Sequence, residues 1–163
     1  MDNLHTAARD RILAILSAGA DLTLATLRPD GYPQATTVSY VNQGLVLYAG
    51  VGLDSQKARN IAYCPKVSLT INLPYTNWNG IRGISAAATA TIVNGADALE
   101  RVAALMVHKF PEIKHMQAAG NPPGWGSVLV LRIVPQVVSL LDYSVEFGHT
   151  ELYAVPPEAC AAD

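Results

Sequence analysis

The segment Gly50-Val51-Gly52-Leu53-Asp54-Ser55-Gln56-Lys57-Ala58-Arg59 concentrates residue types that could hold an anion. It follows a strand-like run and opens a helix-like one. Gly-x-Gly-x-x-Ser is a near miss of the dinucleotide-binding fingerprint. Two features oppose that chemistry: the strands before it are spaced as hairpin partners, and residues 70–75 carry no acidic side chain where a ribose would require one. A helix start still presents unpaired backbone N–H groups and a partial positive charge, which disfavours cations nearby. Lys57 and Arg59 both fall near that end. A bound anion such as a phosphate resolves the conflict, with Ser55 adding a hydroxyl donor. An ordinary cap by Asp54 or Ser55, with both cations solvated, accounts for the same residues equally well.

Other chemistry is thinly represented. His108 and His115 are interrupted by Pro111, so no metal site is expected. Gly83-Ile84-Ser85-Ala86-Ala87 lacks the second glycine of a nucleophile elbow and reads as strand, so no hydrolase is signalled. Cys64 and Cys160 are too few for a disulfide scaffold or a zinc site, and reduced thiols in a cytoplasmic protein are the expectation. Trp78 and Trp125 stand in or beside loops rich in Gly, Pro and Asn, where a ring either covers a planar ligand or packs structurally.

Composition sets the frame for these residues. A chain of 163 residues fits one domain, 1–163. Half the residues are hydrophobic and 15% are charged, against a usual share of about 25%, which leaves apolar surface for a partner chain. With 11 basic and 13 acidic residues and no Lys/Arg run, nucleic acid is not an expected partner. The apolar stretches fall short of the roughly 20 residues of a membrane helix, so no membrane association is expected. The first residues are partly acidic and do not read as a signal peptide.

The elements that must position the anion segment follow from periodicity. Leu4, Ala8, Ile12, Ile15 and Leu16 recur at helical spacing up to Gly19, so a helix is expected over residues 3–18. Runs at 22–27, 34–41 and 45–49 are separated by Pro29-Asp30-Gly31 and Asn42-Gln43-Gly44, the pattern of an antiparallel meander. Residues 55–63 read as a short helix with Ala58, Ile61 and Ala62 turned inward, ending before Pro65. A strand follows at 67–71. Residues 84–93 (ISAAATATIV) alternate with unusually small side chains, which suit either a closely approaching planar ligand or a tightly packed sheet interior. Asp97 and Glu100 resemble a capping box ahead of a helical face of Leu99, Val102, Ala103, Met106 and Phe110. The last strong strand is expected at 127–134, after the loop GNPPGWG. Without βα alternation the chain is a mainly β or α+β domain, expected as a small barrel with flanking helices.

The order strand, Pro29-Asp30-Gly31-Tyr32-Pro33 turn, QATTVSY strand, LVLYAGVG strand, DSQKARNI helix and PKVSL strand resembles the pyridoxamine 5′-phosphate oxidase-related, FMN-binding split-barrel family over residues 13–142. The resemblance implies an antiparallel split β-barrel, a homodimer with FMN at the subunit interface, and oxidoreductase chemistry on a small organic substrate. Relatives using a deazaflavin or haem in the same cleft, and flavin binders without turnover, are the alternatives it leaves open. The family's Ser-Arg-Lys phosphate segment aligns with Ser55-Gln56-Lys57, so Gln56 replaces an arginine, and Arg59 is the candidate to compensate. The flavin-lining strand aligns with Gln34, Ala35, Thr36, Thr37 and Val38, with Tyr48 and Ala49 beside it. The family's flavin-contacting Gln falls near Arg82 or Gly83. In LLDYSVEFGHT only His149 remains of the Arg-x-His substrate clamp, so His149 is either a substrate contact or a surface residue of the expected C-terminal tail, residues 144–163. No catalytic acid, base or nucleophile stands out.

Overall fold

Turns built on Gly31 and Gly44, both at positive φ, fold successive strands back on one another, and alternation along each strand then decides which side becomes core. The computed structural model describes residues 1–114 and 128–160. In β2 (Asp21–Leu27) Leu22, Leu24 and Thr26 turn inward, and in β5 (Lys66–Asn72) Val67, Leu69 and Ile71 do the same. β6 (Arg82–Ile92) sends Ile84, Ala86, Ala88 and Ala90 inward, so most of its small residues are tight core packing, while Ser85 and Ala87 face out.

With β3 (Pro33–Gln43), β4 (Val46–Gly52) and β7 (Val128–Asp142), these strands close an antiparallel barrel in the order β7-β4-β3-β2-β5-β6, β6 pairing back to β7. Gly50-Val51-Gly52 is therefore not a turn: it is strand, paired with residues 128–130, which removes the dinucleotide loop physically. β7 runs on past Pro135, beyond the expected end at 134. Register slips there, with Ala87 opposite Val137 and Ala88 opposite Pro135, and this bulge accommodates a residue that has no N–H for the ladder.

The expected tail from 144 onward is a correction. β8 (Thr150–Ala154) pairs with residues 137–141 of β7, β1 (Asp2–Asn3) pairs in parallel with β8, and a 3-10 turn at Pro157–Cys160 buries Cys160. The first helix is corrected with it. α1 (Thr6–Ala18) starts after β1, with His5 as N-cap accepting from the Ala8 N–H at 3.3 Å. Its buried Ala8, Ile12, Ile15 and Leu16 seal one end of the barrel. Gly19 ends it with ordinary φ; the glycine is required by space, because a Cβ would lie 2.7 Å from the Tyr40 hydroxyl and 2.8 Å from Ile71.

α2 (Gln56–Tyr63) packs at the opposite end, between β4 and β5 in sequence. Ala58 and Ile61 are buried as expected, but Ala62 is exposed and Asn60 is buried instead. α3 (Ala96–Lys109) covers part of the barrel's outer wall, where Val102 and Met106 meet Val41 and Val130. Its expected capping box is absent: Gly95, at φ 96°, is the N-cap without a side-chain bond, Asp97 lies inside the first turn and Leu99 is exposed. His115, the loop GNPPGWG with Trp125, and Ser127 lie outside the described residues. No helix among the described residues is long and apolar enough to cross a membrane.

Candidate functional site

Pairing between β3 and β4 covers only Tyr40–Gln43 against Ala49–Val46, so residues 33–39 of β3 have β2 on one edge and, among the described residues, no strand on the other. The barrel is split there. Alternate backbone groups on such an edge point away from the sheet and remain available to a ligand. Beyond Ala49 β4 leaves β3 and runs on along β7 to Gly52, after which the chain turns into α2.

A buried amide network fixes this opening. Asn60, fully buried, donates to Thr26 Oγ1 at 2.9 Å and Gln34 Oε1 at 3.2 Å, and its Oδ1 accepts from Gln56 Nε2 at 2.8 Å. Gln34 on β3 and Gln56 at the start of α2 are thus joined across the split. Thr26 Oγ1 also donates to the Gln34 carbonyl at 3.4 Å. Asn60 was not singled out from sequence, since a lone Asn in a short helix has no periodic signal that separates it from a surface residue.

Ser55 is the N-cap of α2, its Oγ accepting from the Ala58 N–H at 3.2 Å while its own proton stays free to donate. Lys57, the second residue of the helix, is half-buried, and Arg59 is exposed; neither forms an ion pair with a described residue. Along β3, Gln34, Thr36 and Val38 are half-buried on the inner side, and Thr36 Oγ1 is buried without a hydrogen-bond partner. Ala35 and Thr37 face the opposite way, onto an open outer surface of small residues that includes Thr23, Thr70, Ser85 and Ala87.

Four further residues named from sequence are not brought to this opening by the chain itself. Ala49 is fully buried in the core. Tyr48 turns outward to face α3, opposite Arg132. Arg82 stands seven residues along β6 from Thr89, the partner of Lys66 just after α2, which is about 24 Å of strand. There Arg82 pairs with Asp142 at 3.4 Å. His149 lies at that same far end, bonded to Glu151 at 2.9 Å.

Glu151 is the hub of that end. It accepts from Tyr153, from Arg11 at 2.7 Å and from His149, and these hydrogen bonds, Tyr153's foremost, hold its carboxyl down at about 2. Partial burial works against ionisation of Asp142, but hydrogen bonds from Ser144 and Arg11 and the charge of Arg82 leave its carboxyl below the usual range. Beside it, exposed Trp78 and Phe147 stack with ring centroids 5.5 Å apart, and Tyr143 meets Phe147 edge-on at 5.2 Å. Among the described residues no group of His, Cys, Asp and Glu could hold a metal ion.

The family and the fold have known relatives. Residues 9–141 match the family model described as Pyridoxamine 5′-phosphate oxidase. Among solved structures, a conserved hypothetical protein from Mycobacterium tuberculosis is 26% identical, covering 92% of this chain and 93% of that one, with a TM-score of 0.69. A heme binding protein from Mycobacterium smegmatis is 21% identical with a TM-score of 0.75; the alignment covers 96% of this chain but only 60% of that longer one. HutZ, the heme storage protein from Vibrio cholerae, is 17% identical with a TM-score of 0.64, covering 89% and 92%. No curated protein sequence matches the chain.

Proposed function

The chain belongs to the pyridoxamine 5′-phosphate oxidase family, and from that membership we propose that it binds FMN in the split between β3 and α2 and acts as an oxidoreductase on a small organic substrate. The observation that carries the reading is Lys57: a half-buried cation on the first turn of a helix, beside the Ser55 cap and without a carboxylate among the described residues. A phosphate accounts for that placement. Bound FMN supplies the hydride and electron chemistry, and the chain supplies binding and orientation. Ser55 and Lys57 hold the phosphate, with Arg59 at the rim. Gln34, locked by Asn60, and the free edge of β3 through Thr36 to Val38 position the ring and ribityl chain, and the unpartnered Thr36 hydroxyl gains a ligand atom to bond. Gln56 is spent on Asn60 and does not replace the missing arginine.

Arg82, His149 and the Trp78–Phe147–Tyr143 group reach such a ring only from a second copy of the chain, so a homodimer is part of the proposal. The open outer face bearing Ala35 and Thr37 suits close apposition of two copies. Pyridoxamine phosphate itself is not the proposed substrate, because the clamp is reduced to His149 and that ring is engaged by Glu151.

A haem reading stands beside this one, favoured by the exposed aromatic group two residues from His149 and by the heme binding and heme storage proteins that share the fold. Titrating the purified protein with FMN, riboflavin and haemin decides between them. FMN is expected to bind at least tenfold more tightly than riboflavin. Equal affinities remove the phosphate site, and a Soret band in preference to flavin absorbance moves the assignment to haem. A flavin-like chromophore that resists FMN exchange points to a deazaflavin. Reduction of the bound flavin by NADH or NADPH with turnover separates an enzyme from a flavin-binding protein.

A further inference from the structure

A second cavity, of about 350 Å³, lies on the opposite side of the β4 wall, beneath α3. Tyr48, Arg132 and Thr91 stand directly opposite one another on β4, β7 and β6. Their strand neighbours Leu47, Ala49, Leu131, Ile133 and Ala90 are buried in the barrel, so alternation places all three on the outer wall. Arg101 borders the cavity from α3, one turn before the apolar Leu105 on the same helical face.

Among the described residues the charges in this cavity are unbalanced. No described Asp or Glu lines it, and neither the exposed Arg101 nor the half-buried Arg132 bonds to any described residue. That contrasts with Arg11, Arg28 and Arg82, each of which pairs with a carboxylate. Cys160, also in the lining, supplies no counter-charge, because burial pushes its thiol up and keeps it neutral. Arg132 is partly withdrawn from water, which is unfavourable for a guanidinium without an anion, while Arg101 stands exposed at the rim; the planar fork of each matches an oxyanion head in two-point contact. The volume and the apolar walls are those of a small-molecule pocket.

We propose that this cavity is a binding site for a small organic anion, an apolar body whose carboxylate or phosphate head is held between Arg101 and Arg132 with the Tyr48 phenol as a further donor. The site is separate from the split and does not depend on the FMN reading.

The test uses the full chain with benzoate, phenyl phosphate and the neutral isostere benzamide, followed by calorimetry in the presence and absence of saturating FMN. Saturable binding of at least one anion is expected, with benzamide much weaker, and the tighter of the two anions identifies the head group. Arg132→Leu and, separately, the exposed-position Arg101→Leu should each weaken it roughly ten- to hundredfold. Arg101→Leu decides the matter should Arg132→Leu melt early. Binding by neither anion, equal binding of benzamide, indifference to both substitutions, or displacement of the anion by FMN each overturns the proposal.

Discussion

The two ends of the barrel are closed by opposite kinds of chemistry. At the α2 end the contacts under the split are neutral: buried Asn60 and Thr26 and half-buried Gln34 and Gln56 exchange amide and hydroxyl hydrogen bonds. At the α1 end they are ionic: Arg11 and Arg82 meet Asp142, and Arg11, His149 and Tyr153 converge on Glu151. A neutral buried network holds its geometry at any ordinary pH, whereas a half-exposed ionic one is worth little at neutral pH and varies with acid and salt. The end that frames the proposed cofactor site is thus the one whose shape is independent of protonation.

Placing a charge in the neutral network is the largest way to break this contrast. Asn60→Asp keeps the shape but loses the donors to Thr26 and Gln34 and buries a carboxyl. At pH 7 it should cost about 2–4 kcal/mol, by the scale of buried groups left unpaired. Burial raises the folded-state pKa of the new carboxyl, so the variant should recover stability as pH falls and lose it as pH rises through that value. Urea melts at pH 5 and pH 8 check this, and a pH-independent loss would assign the cost to the missing N–H donors to Thr26 and Gln34 rather than to a buried charge.

Next in size is Lys57→Ala. Loss of a charge-assisted bond of about 1.5–3 kcal/mol should weaken FMN ten- to hundredfold and leave riboflavin almost unchanged. The fold should survive, since a cation on the first turn of a helix is not favoured by the dipole. Equal effects on the two flavins would make Lys57 a solvated surface residue.

Arg82→Ala sharpens the comparison by joining the two ends through a dimer. Its effect on FMN should be smaller, about 1 kcal/mol for one half-exposed cation. Because Arg82 and Lys57 lie at opposite ends of one barrel, mixing the Lys57→Ala and Arg82→Ala proteins should restore one intact site in each heterodimer. Flavin titration of the mixture should therefore show a recovered tight phase, and its absence would confine the site to one chain.

Much of the barrel was legible because its turns carry their own chemistry, as at Pro29-Asp30-Gly31 and Asn42-Gln43-Gly44, and because Ser55 had the right type and place for a cap. Strand parity limits the site: residues 34–38 cannot all face one ligand, and the alternation that buries Leu47 and Ala49 also sends Tyr48 outward. What stayed hidden depends on contacts distant in sequence. β1 is two residues long and has no periodicity of its own, and Arg11 meets Glu151 across a separation of 140 residues. Asn60 was hidden for a related reason, since only the approach of β2 and β3 turns an ordinary helix residue into a buried hub.

The smallest expected effect is at the ionic end. Glu151 has an ordinary carboxyl pKa of 4.5 unfolded and about 2 folded, the Tyr153 hydrogen bond contributing most and those from Arg11 and His149 following. The ionised group therefore stabilises the fold above about pH 4.5, and that contribution is lost progressively as pH falls toward 2. Solvent reaches this network, so its worth at pH 7 is set at about 1 kcal/mol or less. Glu151→Gln should lower the melting temperature slightly at pH 7 and flatten the acid limb of stability against pH. High salt should narrow the difference between the two proteins, because it screens the exposed ion pairs and not the amide network at the other end. Unchanged acid sensitivity in Glu151→Gln would transfer the titration to Asp142, the other carboxylate that Arg11 holds.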